Sequence, residues 1–419
     1  MTAHPSSDFS RGWSFAVKVT DVAIIGGGLA GSAAATILGR AGVDAVLIDP
    51  HRVYPVDFRC EKIGGWHLDA IRAAGLDDVV FGVTTFDGHG GIARYGHLLD
   101  VRPSDQHGAA YENLVNALRA AIPASVGFIE AKANDIETGD DRQTITLNTG
   151  ETISARLIVL ANGLNFGVRE RMGLRREVLS ENHSVTIGFN AVRLGHRSFP
   201  PRSLTYFPER ASSLVSYLTL FPIRDAMRAN LMVYRPVDDP WLSRMRHTPI
   251  EAIKELMPRL TRITGEFEVE GPVKIRPASL WQTQGYLRSG IALIGDAFQT
   301  SCPAAGTGAG RAFNDVARLC NEYIPRWLAT PGMAAEKIAQ FYADPVKQDR
   351  DRFSLHKAFF LRDLSINTSP VWTARRLVRF AGYKGIGILR ALQRRGEPQQ
   401  SLFDGERHLP MSGHRAAER

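Results

Sequence analysis

The sequence predicts an α/β protein: a Rossmann-like nucleotide-binding domain, interrupted by an antiparallel β-sheet and followed by a helical C-terminus. Three observations carry this. Residues 21–49 read as strand, glycine turn, helix and strand. Residues 184–274 read as strands with almost no helix between them. The short apolar run Gly290-Ile-Ala-Leu-Ile-Gly295 then returns to the character of a buried parallel strand, and 343–395 is mostly helical.

The first element is Asp21-Val-Ala-Ile-Ile-Gly-Gly-Gly-Leu-Ala-Gly31. Gly26, Gly28 and Gly31 fill G-x-G-x-x-G. The first permits a tight turn, the second a close approach of pyrophosphate to the backbone, and the third contact between helix and strand. The helix that follows offers free N–H groups and its positive dipole end to phosphates beside Gly28, Ala30 and Gly31. Val46-Leu-Ile-Asp49 is a second strand, ending in an acid about 20 residues on, where a ribose hydroxyl is accepted. A bare glycine turn would explain the glycines alone. It would not explain the strand, the helix and the acid together.

Further along, Trp66 to Gly75 has Leu68, Ile71 and Ala74 on one helical face and Gly75 as its stop. Tyr111, Leu114, Val115, Leu118 and Ile122 recur at helical spacing before Pro123. Thr144–Leu147 and Thr152–Leu160 flank Asn148-Thr-Gly150, a hairpin signal, and the second strand ends apolar on both faces. In the inserted sheet, strands are expected at Val185–Phe189, Ser213–Leu220 and Asn230–Tyr234, with one amphipathic helix at Ile250–Leu260. The expected divisions are a flexible leader over 1–17, a nucleotide-binding domain over 18–183 and 275–342, and a substrate sheet over 184–274. Helices over 343–395 and a disordered tail over 396–419 complete the chain.

Composition is that of a soluble globular chain: of 419 residues, 44% are hydrophobic and 22% charged. The longest apolar runs are far too short to span a bilayer, and Met1 to Ser14 has no apolar core of a secretory signal. Three cysteines without metal-ligand spacing fit a reducing cytoplasm, and no metal site is expected. The net charge of +8 is concentrated beyond Lys347, where Lys and Arg outnumber Asp and Glu roughly two to one. No nucleic-acid reader motif accompanies it. The two readings left are a solvated helix face and peripheral contact with an anionic membrane through the basic C-terminal helices.

Two more segments carry chemistry. One is Leu157-Ile-Val-Leu-Ala-Asn162-Gly163-Leu-Asn-Phe-Gly-Val-Arg169. In the other, the 290–295 strand ends in Gly295-Asp296, and Pro303, Gly306 and Gly308 follow at the entry to a helix. An acid at the carboxyl end of such a strand can accept hydroxyl hydrogen bonds, and bare N–H groups at a helix start suit an electron-rich ring edge. Together the three segments resemble the FAD-dependent enzymes built like para-hydroxybenzoate hydroxylase, the single-component aromatic hydroxylases, and their relatives the geranylgeranyl reductases. The resemblance spans roughly residues 22–342. It implies a glutathione-reductase-type FAD domain, with adenosine near Asp49, pyrophosphate over Gly28 to Gly31, ribityl chain at Asp296 and isoalloxazine against Pro303 to Gly308. Arg59 matches the arginine that reaches back toward the ribose and phosphates. Asn162-Gly163 departs from the usual Asp-Gly, Phe298-Gln299 stand where many hydroxylases carry a histidine, and the helix starting at Tyr111 lacks a common arginine.

The resemblance implies a monooxygenase that uses NADPH or NADH as a transient donor and hydroxylates an aromatic or polyketide-like small molecule with O₂ through a flavin C4a-hydroperoxide. No second nucleotide fingerprint exists, since Gly382-Tyr-Lys-Gly-Ile-Gly387 follows no strand. The alternative is an FAD-dependent reductase acting on an isoprenoid or lipid-like substrate. Arg59-Cys60-Glu61 and Tyr217-Leu-Thr-Leu-Phe221-Pro222 resemble segments of the geranylgeranyl reductases. A non-enzymatic FAD-binding protein is a third reading; it would hold FAD and consume no reductant. A halogenase lacks its Trp-x-Trp-x-x-Pro signature here. The chain is expected to act as monomer or homodimer. No catalytic residue is singled out: His183, His196, Tyr206 and Tyr217 each read more readily as structural.

Overall fold

The computed structural model describes residues 17–393 apart from Cys60, His196, Arg197 and Pro200. The expected tail over 396–419, all of the expected leader except Val17, and the candidate His196 lie outside the described residues.

The chain opens with β1 (Lys18–Ile25), α1 (Leu29–Arg40) and β2 (Ala45–Asp49), then β3 (Lys62–Ile63), α2 (Trp66–Ala73), α3 (Asp77–Phe81) and β4 (Thr85–Phe86). Next come β5 (His89–Arg94), β6 (His97–Pro103), β7 (His107–Gly108) and α4 (Tyr111–Ala120). The run β8 (Gly127–Glu130), β9 (Ala133–Glu137), β10 (Gln143–Leu147) and β11 (Thr152–Leu160) leads to α5 (Gly167–Arg171). Four strands follow: β12 (Arg175–Arg193), β13 (Ser203–Phe207), β14 (Val215–Ile223) and β15 (Ala226–Val233). Helices α6 (Pro240–His247), α7 (Pro249–Leu256) and α8 (Thr261–Thr264) precede β16 (Phe267–Gln284) and β17 (Ile291–Leu293). The described chain ends with α9 (Gly308–Arg318), α10 (Ile324–Leu328), α11 (Ala335–Tyr342), α12 (Pro345–Ile366) and α13 (Pro370–Gln393).

One sheet runs β8-β2-β1-β11-β10-β9, and β17 joins it on β11. Pairing is parallel from β8 through β11 and between β11 and β17, and antiparallel at the β10–β11 hairpin. Its central residues are apolar on both faces because both are covered, as parallel sheets require. Ile24, Leu47 and Val159 sit opposite one another with almost no exposure. On one face lies α1, whose small residues are buried along all but its last position. Thr36 Oγ1 donates to Leu118 O at 3.0 Å and ties α1 to α4.

The second sheet runs β16-β12-β15-β14-β13-β5-β6. It is wider than the stretch 184–274 expected from sequence. It draws β5 and β6 from residues 89–103, and its two longest strands reach back to Arg175 and on to Gln284. The β5 pairing was not legible, because His89-Gly-Gly-Ile shows no alternation and its parallel partner β13 lies far along the chain. Period-two alternation splits the sheet. Leu204, Leu218, Leu220 and Leu231 bury one face against the helices from α6 to α8, while Thr205, Thr219, Asn230 and Met232 line a cavity.

The helix expected over 250–260 ends at Leu256. Met257 precedes Pro258, and the proline ring disfavours helical geometry in the residue before it; Met257 takes φ −134° and ψ 65°. The strand expected from Ser213 starts at Val215, after a short helical turn at 211–213. Gly382 to Gly387 lies inside α13.

Candidate functional site

Strands β1, β11 and β17 run parallel, with Leu160 opposite both Ile25 and Leu293. Their carboxyl ends therefore deliver three segments distant in sequence to one rim, the edge at which open α/β sheets bind ligands. Ala161 N donates to Ile25 O at 2.8 Å and Ile294 N to Leu160 O at 3.1 Å.

A cavity of about 1160 Å³ opens along this rim and continues over the second sheet. Gly26, Gly28, Ala30 and Asp49 line it from the first segment, and Asn162 and Gly163 from the second. Gly295, Asp296, Pro303, Gly306 and Gly308 line it from the third, and Arg59 from the loop after β2. Of the residues expected at a site, Gly31 alone is not part of the lining.

The three glycines of the turn have different causes. Gly26 takes φ +98°, and a Cβ there would lie 2.7 Å from Asn162 Cα. A Cβ on Gly31 would lie 1.7 Å from Gly26 O, so helix and strand could not meet. Gly28 is unlike both. Its φ of −75° suits any residue, and the nearest protein atom to a Cβ would be Tyr111 Oη at 3.9 Å. The fold does not need glycine there, and the space it leaves open faces the cavity.

Asp49 is held from three directions. Gly27 N donates to Oδ2 at 2.7 Å, His51 N to Oδ1 at 2.9 Å, and Arg119 Nη2 stands 3.1 Å from Oδ1. Arg119, at the end of α4, also donates through Nε to Gly27 O at 2.9 Å. Sequence reasoning missed it, because a basic residue in a last helical turn ordinarily reads as a partner for the helix dipole.

Arg59 Nε donates to Asp57 Oδ2 at 2.5 Å, and Nη1 lies 3.9 Å from Asp296 Oδ2. Burial opposes its charge, but Tyr111, Asp57 and Tyr54 outweigh burial and hold the guanidinium above its ordinary range. The cavity thus carries a fixed cation beside Asp296. The start of α4, where the arginine is missing, presents Tyr111 to the same cavity.

Asn162 donates through Nδ2 to Asn165 O at 2.8 Å, and its buried Oδ1 has no donor among the described residues. Arg169, fully buried, clasps the second segment to the third. Nη2 donates to Gly163 O at 2.6 Å and Asn165 O at 2.9 Å, and Nη1 donates to Ala297 O. Burial, reinforced by Arg176, pulls its pKa down to about 9 against Asp296.

The third segment is anchored from below. Gly295, at φ +57°, donates its N–H to Asp315 Oδ2 at 2.9 Å. Asp315 pairs with Lys347 at 3.0 Å, Lys347 with Asp351 at 3.1 Å, and Arg311 Nε with Asp351 at 2.8 Å. Arg311 Nη1 donates to Gln299 O and Ser301 Oγ, at 2.9 and 2.8 Å. Tyr217 Oη donates to Ala304 O at 2.5 Å, and Thr307 Oγ1 lies 2.6 Å from Ser354 Oγ. The 303–308 loop is therefore gripped by the sheet on one side and α12 on the other.

Of the four candidate catalytic residues, Tyr217 lines the cavity but is engaged with Ala304. Tyr206 Oη donates to Glu209 Oε1 at 2.9 Å and accepts from Gly96 N at 3.0 Å. His183 is fully buried 3.1 Å from Ser180 Oγ, and burial pulls its pKa down to about 4.

Comparison with known proteins agrees with this architecture. The ubiquinone hydroxylase UbiL of Rhodospirillum rubrum is 28% identical over 92% of this chain and 89% of its own length. The 3-demethoxyubiquinol 3-hydroxylase of Escherichia coli is 23% identical over 88% of this chain and 96% of its own. The crystal structure of p-nitrophenol 4-monooxygenase PnpA from Pseudomonas putida superposes with a TM-score of 0.67, at 16% identity, covering 88% of this chain and 95% of that one. That of P. aeruginosa PqsL in complex with 2-aminobenzoylacetate gives 0.65 at 20% identity, covering 83% and 97%. These two share its fold. The family model described as the FAD binding domain matches residues 19–325, and with the three converging segments it places this chain in the FAD-binding-domain family.

Proposed function

We propose that the chain is an FAD-dependent monooxygenase that hydroxylates an aromatic small molecule, with NADPH or NADH as donor and O₂ as the oxygen source. The observation that carries this reading is the single cavity running from the nucleotide rim to the lined face of the second sheet. FAD fits the rim. Gly28 leaves open the space that a pyrophosphate would fill, and α1 starts beside it. Asp49 would take the adenosine ribose, Asp296 and Arg59 the ribityl and phosphate region, and the loop from Pro303 to Gly308 the isoalloxazine. Bound there, FAD would supply the activation of O₂. The protein holds the substrate over the ring, excludes water and orients the reacting carbon. The hydroxylase and monooxygenase names of the relatives support this over a prenyl reductase.

The test is NAD(P)H oxidation and O₂ uptake with salicylate, 4-nitrophenol, 2-methoxyphenol, a quinolone and a 2-prenylphenol. At least one of them should drive coupled O₂ uptake. Oxygen-independent reduction of a prenyl double bond, with no O₂ uptake for any compound, contradicts the proposal.

Peripheral contact with an anionic membrane is the further part of this reading, and α13 supports it. One face of the helix packs on the second sheet, with Arg390 Nη1 2.5 Å from Asp100 Oδ2. Val371, Val378 and Leu389 are more than 60% exposed, and the helix carries five Arg or Lys and no acid. Among the described residues no helix is long and apolar enough to cross a membrane, so contact would lie at the surface. The protein should float with vesicles containing phosphatidylserine and lose this on Val378→Glu with Leu389→Glu. Flotation unchanged by both substitutions excludes α13 as the contact.

A further inference from the structure

We propose that Glu61 and Asn230 form a hydroxyl-recognition site in the sheet half of the cavity, where Glu61 takes the proton of a phenolic hydroxyl on the substrate. This rests on the monooxygenase reading and adds to it the group that activates the aromatic ring.

Asn230 lies on β15 between Arg228 and Met232, and alternation turns all three to the same side of the sheet. It is 5% exposed and lines the cavity, yet its Oδ1 has no donor among the described residues. An orphaned buried acceptor is destabilising, and a donor on a bound ligand would recover that loss. Glu61 lines the same cavity at 7% exposure. Arg228 Nε donates to Glu61 Oε2 at 2.8 Å, and Arg228 Nη1 to Asn190 Oδ1 at 3.1 Å, so the carboxylate is oriented by a fixed partner. The Asn230 amide stands beside Glu61 and favours its charged form. Without a protein donor, its carbonyl is left to accept the phenolic O–H as the ligand binds, before that one hydrogen swings to the Glu61 carboxylate beside it.

The groups facing Glu61 are Arg228 and Asn230 from β15 and Lys274 from β16. Burial nonetheless wins and pushes its carboxyl above the ordinary range. That direction brings a carboxylate closer to the neutral pH at which a general base works best. The other cavity acids are differently placed: Asp49 is held by Gly27 and Arg119, and Asp296 stands beside Arg59.

In the step assigned to Glu61, the substrate O–H bond breaks and an O–H bond forms on the carboxylate oxygen. The electron pair stays on the phenolic oxygen. The phenolate pushes electron density to the ortho and para carbons, which then attack an electrophilic oxygen more readily. The proton leaves Glu61 for the product hydroxyl or for water before the next turnover. The substrate class is therefore a phenol or hydroquinone with a free hydroxyl ortho or para to the carbon that is oxygenated.

The test uses the FAD-loaded full chain and the phenol giving the fastest O₂ uptake in the panel above, with its methyl ether as control. Binding is read from the perturbation of the flavin absorbance, without turnover. Wild type should bind the phenol at least about tenfold more tightly than the ether, the loss expected for one hydrogen bond to a buried acceptor. The kcat should rise with pH through one ionisation, because the carboxylate must be free to accept. In Glu61→Gln that limb should vanish and kcat fall by about 100-fold or more, with KM little changed and FAD content intact. In Asn230→Ser the preference for phenol over ether should shrink while the limb remains. Equal binding of phenol and ether by wild type overturns the proposal, as does an unchanged kcat limb in Glu61→Gln. If Glu61→Gln cannot hold FAD, wild-type discrimination in Asn230→Ser overturns it. Should no compound of the panel drive O₂ uptake, the monooxygenase reading fails and this assignment with it; uptake with the quinolone alone overturns the phenol assignment and leaves that reading standing. O₂ uptake that is equal for phenol and ether sinks the Glu61 assignment alone.

Discussion

Gly28→Val is expected to fold and to purify without FAD. Its φ is open to any residue and the added side chain would meet no protein atom closer than 3.9 Å at Cβ, so the apo protein should unfold within about 1 kcal/mol of wild type. The side chain would instead occupy the approach of the pyrophosphate to the start of α1. Losing two charge-assisted hydrogen bonds from backbone N–H groups, at about 1.5–3 kcal/mol each, weakens FAD binding by at least about 100-fold. Gly31→Ala, three residues away, should do the opposite. Its Cβ would sit 1.7 Å from Gly26 O, which forces a main-chain shift costing about 3 kcal/mol or more. Urea unfolding of the apo proteins and flavin fluorescence titration separate the two effects. Equal loss of stability in both variants would show that Gly28 serves the fold and not a ligand.

Lys347→Met should cost about 3–5 kcal/mol, although the residue lies outside the cavity lining. Lys347 is 1% exposed and lies 3.0 Å from Asp315 and 3.1 Å from Asp351, with its Nζ 4.3 Å from the centre of the Phe298 ring. Removing it leaves Arg311 to face two buried carboxylates. Burial already pushes the Asp315 carboxyl up against the pull of Lys347, so without Lys347 it should shift up further and take its proton at a higher pH than in wild type. Asp315 also accepts from Gly295 N, so the damage should reach the 295–296 turn and weaken FAD binding as well. Pairing the change with Asp315→Asn should recover part of the loss, since the uncompensated charge goes too. A urea midpoint within error of wild type for Lys347→Met would contradict this account of how α12 supports the site.

The rim was legible in the sequence because its pieces are local. A glycine turn needs its glycines within six residues, and each later segment is a strand followed directly by its polar end. What joins them was not legible. Arg119, Arg169 and Lys347 act across long separations, and each reads alone as an ordinary cation on a helix. Arg169 was visible as the end of the second segment, but its hold on Ala297 depends on β11 and β17 being neighbours. The second sheet was recognised from its helix-free strands and underestimated in width. Strand β5 has glycines where alternation would show, and its partner lies more than 100 residues on. The helix stop at Leu256 could have been read from Pro258. Glu61 and Asn230 could not have been paired in advance, since a lone Asn on a strand and a Glu in a loop signal nothing until the fold brings them to one cavity.

The most direct measurement of the central claim is a crystal structure of the chain loaded with FAD. The adenosine ribose is expected at Asp49, the pyrophosphate against Gly28 and Ala30, the ribityl chain at Asp296 and the isoalloxazine along Pro303 to Gly308. FAD bound in the reverse sense, or bound outside this cavity with Gly28 still facing open space, would contradict it.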